Sequence, residues 1–380
     1  MFSTIGEIAE QMQTRALAIG GCVRDALLQR NQSKDIDIVC EGNGIELAKA
    51  VADKLPNSGK VSVYKNYGTA MVRIGSYELE FVGARKESYK KNSRNPVVES
   101  GTLKDDQKRR DFTVNAIALS RDGRLIDPHG GQDDLEDRVL RHVSPAFSED
   151  PLRVLRCIRF LAQLSTYGFK ISTETVDVIK TMSHSLRELS VERIIAELDR
   201  ILDSTNPAAG LVNLHFLGIT ETLIPDLSIV PDKFICQSIE ARLGEWIFVN
   251  QPTLNCIEQY SKKFRLTNLR VDFLTALFKL QNININDAAS CLEVMNQLGW
   301  LRGNDPDPKL DNLLIEFDQT QLTKVPITRL FEMRNKVREI TAAQFTNKGI
   351  SGKKLGEAIY AERIKVLSTE ISAPGTAPGL

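Results

Sequence analysis

A change of hydrophobic period partway along the chain limits the fold more than any other feature. Between Ala16 and Val82 the apolar residues alternate or fall in short runs: ALAIG (16–20), DIDIV (35–39), then KVSVY, TAMVRI and YELEFV, the last three separated by YKNYG and GS. Period two marks half-buried strands, and three runs in close succession describe a meander. VRDALL and ELAKAVADKL place helices between the early strands. From Phe147 onward strand signals fade and helical spacing takes over, in PLRVLRCIRFLAQL, TETVDVIKTM and VERIIAELDRIL, then more weakly to about Leu367. The expected fold class is therefore α+β, a head with a small mixed or antiparallel sheet and helices, followed by an elongated all-α body. The polar stretch from Glu87 to Gln107 reads as an exposed loop. STNPAAG (204–210) and RGNDPDPKL (302–310) read as linkers or inter-helix loops, and SAPGTAPGL at the end as disordered.

Composition narrows the function classes. Hydrophobic residues at 42% and charged residues at 26% are the mix of a globular chain that buries a core. No apolar run approaches the ~18 residues of a membrane span, and MFSTIGEIAEQMQTRA lacks the charged start and apolar stretch of a signal peptide. These point to the cytoplasm. The six cysteines (Cys22, Cys40, Cys157, Cys236, Cys256, Cys291) show no CxxC pair and read as core thiols. The four histidines have no ligand spacing, so zinc is not indicated. With 49 basic and 49 acidic side chains the chain has no net charge, which argues mildly against a nucleic-acid partner unless local charge carries it.

Asp35 and Asp37 hold the chemistry. Two apart on a strand, they project to one face while Ile36 and Ile38 point to the core. Like charges that close repel unless a cation lies between them, and hard oxygen ligands suit Mg²⁺ with phosphates completing its shell. Upstream, Gly20-Gly21 separates a strand from a helix, where first-turn N–H groups can receive phosphates, and Arg24 lies on that first turn. Each feature alone has a bland reading: solvated carboxylates on an edge strand, or a tight turn.

Together, GGCVRDALL followed by KDIDIV resembles motif A of the DNA polymerase β-like nucleotidyltransferases, in the form found in class II tRNA nucleotidyltransferases and bacterial poly(A) polymerases. Further segments follow in order. RRDFTVNAIAL (109–119) resembles motif B, LIDPHGGQDDL (125–135) motif C, EDPLRVLRCIRF (149–160) motif D and ERIIAELDRIL (192–202) motif E. The resemblance covers roughly residues 15–203. The C-terminal half is similar only in helical character, with GKKLGEAI (352–359) like the family's tail. It implies a polymerase β-like head over 1–140, a helical neck that recognises the base over 141–205, a tRNA-binding helical body over 206–300 and a tRNA-binding tail over 301–380.

The resemblance also implies roles. Asp35 and Asp37 would hold Mg²⁺ ions that activate an RNA 3′-hydroxyl and neutralise leaving pyrophosphate. Gly21 and Arg24 would contact the triphosphate, Arg110 the nucleotide's phosphate or sugar, and Asn115 would help position the ribose. A third carboxylate falls at Glu80 or at Glu78, on the same side of their strand. On the motif D helix Arg153, Arg156 and Arg159 form one slanting stripe. Asp150 and Arg153 would face the base, with Arg156 and Arg159 nearby, although Asp150 also reads as an N-cap and the stripe as a solvated basic face. Asp127, Gly131 and Asp134 in motif C, and Glu192, Arg193 and Glu197 in motif E, read as architecture.

The substrates implied are tRNA, ATP and CTP, with no membrane and no obligate protein partner. Complete CCA addition is favoured by the loop ARKESYKKNSRNPVVESGTLKDD (84–106), which resembles the loop between motifs A and B of enzymes that complete CCA. Addition of A alone and poly(A) synthesis share the motifs. From another class, a catalytically inactive RNA-binding protein is the rival. RNA binding is expected from Lys262, Lys263, Arg265 and Arg270, and from Arg334, Lys336, Arg338, Lys348, Lys353 and Lys354.

Overall fold

The computed structural model describes residues 1–30, 34–65, 68–88, 97–302, 307–323 and 325–372. The chain divides into two compact units, Met1–Leu189 with Phe216–Thr222, and Ser190–His215 with Leu223–Leu380. The first begins with α1 (Phe2–Gln11), β1 (Ala16–Ile19), α2 (Gly21–Leu27), β2 (Asp35–Cys40) and α3 (Gly44–Lys54), then β3 (Ser62–Tyr64), β4 (Thr69–Ile74) and β5 (Tyr77–Gly83). There follow β6 (Arg85–Ser88), β7 (Val97–Ser100), α4 (Leu103–Lys108), β8 (Ala118–Leu119), β9 (Leu125–Ile126), α5 (Gly131–Glu136), β10 (Val139–Leu140), α6 (Leu152–Leu164), β11 (Lys170–Ile171) and α7 (Thr173–Met182).

Seven strands form one sheet in the order β3-β4-β5-β2-β1-β8-β9. The β2–β5 pair runs parallel and the other neighbours antiparallel, so the small mixed sheet expected from the hydrophobic pattern is present. The two faces differ in kind. Ile36, Ile38, Ala70, Val72, Leu79 and Phe81 are all buried on the face that α1 and α3 cover. Each of these side chains larger than alanine contributes about 1.5–3 kcal/mol. On the other face Leu17, Ile19, Val39, Ala84, Leu103 and Ala118 form a smaller cluster. Alternation carries Asp35, Asp37, Glu78 and Glu80 onto that second face, beyond the cluster's edge.

Part of the stretch expected as loop is ordered differently. β6 and β7 pair as a two-stranded antiparallel ribbon, Arg85 opposite Ser100. α4 follows, closed by a capping box in which Thr102 accepts the Asp105 N–H and the Asp105 side chain returns to the Thr102 backbone. Strands of four residues and a helix of six are too short to show a period in charged sequence. Residues 89–96 of the loop that favours complete CCA lie outside the described residues, as do 303–306 of the expected 302–310 linker and the terminal 373–380. Of the segment 204–210, Pro207 already opens a helix, Pro207–Phe216.

Among its described residues the second unit is built of helices, including Val191–Leu202, Ile239–Val249, Asn268–Gln281, Pro308–Asp318, Ile327–Arg338 and Lys353–Ser372. Its core gathers Trp246, Phe273 and Phe317, the two phenylalanines edge to face at 5.9 Å. No described helix is long and apolar enough to cross a membrane.

Candidate active site

The site starts from strand register. β1 pairs with β2 so that Ile19 lies opposite Asp37, and β5 pairs with β2 so that Glu80 lies opposite Asp37 and Glu78 opposite Asp35. β1 is followed by Gly20, whose φ of +88° lies in the region that favours glycine. A Cβ at Gly20 would sit 3.0 Å from Arg110 Nη1 and 3.1 Å from Asp37 Oδ2. The turn is thus pressed between a cation and a carboxylate, and a side chain there would push them apart. Gly21 follows as the first residue of α2.

The carboxylates are under electrostatic load. Burial pushes the Asp37 carboxyl above its ordinary value; Arg110 opposes this, while Asp106 and Asp35 add to it. Glu80 is raised by burial and then by Asp37, with Arg85 and Arg110 pulling the other way. Glu78, on the same strand face, pairs instead with Arg73. The two glutamates that sequence could not separate have different partners, and Glu80 is the one that shares a field with Asp37. Asp35 is exposed at the start of β2.

Motif B supplies the counter-charge. Asp106 is fully buried between Arg109, at 2.5 Å, and Arg110, at 3.0 Å. Burial would raise its carboxyl, but Arg110 and Arg109 outweigh it and hold Asp106 below the usual range. Asp111 is also buried, and there the Arg156 guanidinium, donating from Nε at 2.8 Å and Nη2 at 2.6 Å, overcomes burial and draws the carboxyl down to about 2. Asn115 donates to Asp111 Oδ1 at 3.2 Å and accepts from Arg24 Nη1 at 2.7 Å.

Arg24 is 4% exposed, its guanidinium held by Asp25 at 2.9 Å and by Asn115. It therefore packs beneath the glycine turn, its Nη2 3.6 Å from where a Gly21 Cβ would be, in a position different from the open phosphate contact that the resemblance implies. The motif D stripe also differs from a solvated face. Arg153 donates from Nη1 to the Ala146 carbonyl at 2.7 Å and from Nη2 to the Arg109 carbonyl at 2.5 Å. Arg156 turns to Asp111, and Arg159 is buried against the Phe160 ring. The opposite side of α6, with Val154, Leu155, Ile158 and Leu161, is buried too. Asp150 does cap the helix, accepting the Leu152 N–H at 3.1 Å.

Motifs C and E are fixed within their own units. Asp127 accepts the N–H groups of Gly131 and Gln132, and Asp134 accepts Thr113 Oγ1 at 2.6 Å. A Cβ at Gly131 would meet the Thr113 carbonyl at 2.3 Å, so only glycine lets α5 lie against motif B. In the second unit Glu192 pairs with Arg265 and Glu197 with Arg200. Asp106, Asp111 and Phe160 are the residues of this site that sequence reasoning left without a role. The signal of the two acids, carboxylates interleaved with basic residues in KDDQKRRD, carries no information about depth, and Phe160 reads as one more apolar residue of a helix.

The chain is similar in sequence and in fold to known proteins. Residues 16–141 match the poly A polymerase head domain, and residues 168–229 match the probable RNA and SrmB-binding site of polymerase A. A multifunctional CCA protein of Xylella fastidiosa is 42% identical over 223 residues, 56% of this chain and 51% of that protein. An A-adding tRNA nucleotidyltransferase of Aquifex aeolicus is also 42% identical, over 191 residues, 48% of this chain and 22% of that protein. The chain spans about half the length, or less, of these relatives. Among solved structures, an apo tRNA-processing enzyme superposes with a TM-score of 0.65 at 26% identity, over 96% of both chains. With the head domain matched, the five motifs in order and the fold shared, the chain carries a poly A polymerase head domain and is similar to class II tRNA nucleotidyltransferases and bacterial poly(A) polymerases.

Proposed function

We propose that this chain is a template-independent nucleotidyltransferase that completes the CCA end of tRNA from CTP and ATP, releasing pyrophosphate. The observation that carries the reading is the register of Asp35, Asp37 and Glu80 on one sheet face, with Arg110 against the Gly20 turn beside them. Three acids so close, two of them (Asp37 and Glu80) partly buried and raised by burial, are unfavourable for a bare fold and suited to a cation. Among the described residues no group of three or more His, Cys, Asp or Glu forms an all-protein metal cage. A Mg²⁺ held by two carboxylates and substrate phosphates needs none.

The donor set of hard oxygens fits a divalent cation, here Mg²⁺, held by Asp35 and Asp37 with Glu80 alongside. Such a cation supplies Lewis-acid stabilisation of phosphate charge. Arg110 and Arg156 orient the triphosphate, and the buried Asp106 and Asp111 hold those arginines in place. Asp150 stands at the start of α6 and Arg153 on its first turn; a carboxylate beside a guanidinium is the acceptor and donor pair that a base edge takes. Residues 1–140 serve catalysis, 141–205 base recognition and the helices after 205 tRNA binding.

Addition of A alone is the second reading, favoured by the A-adding relative, which matches at the same identity as the CCA protein. The experiment offers tRNAs ending before C, after C and after CC to the protein with labelled CTP or ATP, and sequences the products. CCA ends on all three support complete addition; A added only after CC replaces it with the second reading. Asp35→Ala and Asp37→Ala are each expected to lower transfer at least ~1000-fold with tRNA affinity nearly unchanged. Transfer persisting in both variants rejects this site, and a wild-type chain that binds tRNA but transfers nothing is the inactive RNA-binding protein.

A further inference from the structure

Three guanidinium groups from two elements meet on one aromatic ring. The Cζ atoms of Arg24, Arg156 and Arg159 lie 5.1, 5.5 and 4.6 Å from the centroid of Phe160. The ring is 7% exposed and is backed by Phe112, edge to face at 5.7 Å. Three like charges gathered so closely repel one another. The negative face of an aromatic ring offsets part of that repulsion, more strongly away from water. A guanidinium donates in its plane and stacks through its faces, so stacking on Phe160 does not compete with its hydrogen bonds.

Those hydrogen bonds return to a common point. Arg24 donates to Asn115, Asn115 donates to Asp111, and Asp111 accepts from Arg156. With Phe160 between Arg24 and Arg156 the contacts close into a loop: Phe160, Arg24, Asn115, Asp111, Arg156. This loop joins α2, which follows the glycine turn, to the 3₁₀ turn Thr113–Asn115 and to α6. An open chain of contacts lets one end drift when loaded, whereas a closed one fixes every member relative to the others. Arg156 also lies within the field felt by Asp37, so its position is felt at the carboxylates.

We propose that Phe160 is a positioning residue for nucleotide binding, holding Arg24 and Arg156 so that Arg156 meets the triphosphate in a fixed geometry. This rests on the reading of the site as a nucleotidyltransferase centre. The test replaces Phe160 in the full chain with mono-, di- and trifluorinated phenylalanine, which keeps the ring's shape and weakens its face step by step. Kd for ATP and for CTP is measured without tRNA, beside Tm, with Phe160→Leu as a second variant. Kd is expected to rise with each step, reaching about tenfold at the trifluorinated ring. KM for nucleotide in the transfer assay should follow it, with kcat changing much less. A flat Kd across the series, or in a folded Phe160→Leu chain, overturns the proposal even if Tm falls, because ring packing alone then explains the contacts. A wild-type chain that binds both nucleotides but transfers neither sinks only the functional reading and leaves the series decisive. One that binds neither nucleotide overturns both.

Discussion

Burial pushes the carboxyls of Asp37 and Asp111 in the same direction, upward, and the neighbours decide which way each one ends. Asp37 is raised because burial and the acids Asp106 and Asp35 together exceed the pull of Arg110. Its folded form holds a proton more readily than its unfolded form. The charged carboxylate therefore weakens the fold at neutral pH, and the penalty fades as pH falls through the folded value. Asp111, held at about 2 against an ordinary 3.8, does the reverse. Its contribution is complete above the ordinary value and is lost as pH falls toward the folded one, an effect of about 2 kcal/mol. In cation-free buffer Asp37→Asn should raise Tm at neutral pH, an advantage that shrinks in acid, and with Mg²⁺ present the variant should not transfer. Asp111→Asn should cost about 2 kcal/mol at neutral pH and flatten the acid limb. Unfolding midpoints across pH check both, and an Asp37→Asn chain no more stable than wild type would contradict the account of the acidic face.

At the scale of elements, α6 bears the most. It is buried on its aliphatic side and partly buried on its arginine side, where Arg153 and Arg156 anchor to the backbone and to Asp111 of motif B. Periodicity predicts the helix and its aliphatic stripe. It cannot tell an arginine stripe facing water from one facing a neighbouring loop, because both have the same spacing. Asp150 opens this helix and is also the acid expected to read the base. Cytosine and adenine each present an amino donor beside a ring acceptor, complementary to a carboxylate next to an arginine, whereas uracil and guanine present the reverse. Asp150→Ala should remove ~1 kcal/mol of stability through the lost cap. It should also shift kcat/KM toward UTP or GTP by roughly ten- to hundredfold, since one mismatched contact is worth ~1–3 kcal/mol. An unchanged preference for C and A would mean that the carboxylate only caps.

Over the whole molecule the formal charge is zero, so binding to a polyanion depends on which cations reach the surface. Two arginines counted by sequence among the RNA-binding clusters do not. Arg270 is 8% exposed and joined to Asp199 and Glu240, at 2.9 and 3.1 Å. Arg334 is 5% exposed, bidentate on Asp311 and stacked on Phe331 and Trp300. Both fasten helices to one another within the second unit. Lys353, by contrast, is almost fully exposed. Arg270→Met should lower stability by about 2–3 kcal/mol, below the range for a fully buried pair because its acids are partly exposed. It should leave the slope of log Kd for tRNA against log salt unchanged, where loss of a true phosphate contact lowers that slope by about one. A slope reduced by about one in Arg270→Met would return this residue to the RNA-binding surface.

Sequence alone determined the head sheet, the switch to helices and the pair Asp35 and Asp37, because strand and helix periods and a two-residue offset are local properties of the chain. It also carried the five motifs in order, and with them the resemblance to the family. Only the tertiary structure separated Glu80 from Glu78, since register with β2 puts one beside Asp37 while an ion pair takes the other to Arg73. It likewise put Arg24, Arg270 and Arg334 into buried pairs in place of open ligand contacts, and set Asp106, Asp111 and Phe160 against the site's arginines. The physical reason is common to all of these. A charged side chain's function depends on its depth and on its counter-charge, and both are supplied by residues distant in sequence that only folding brings together.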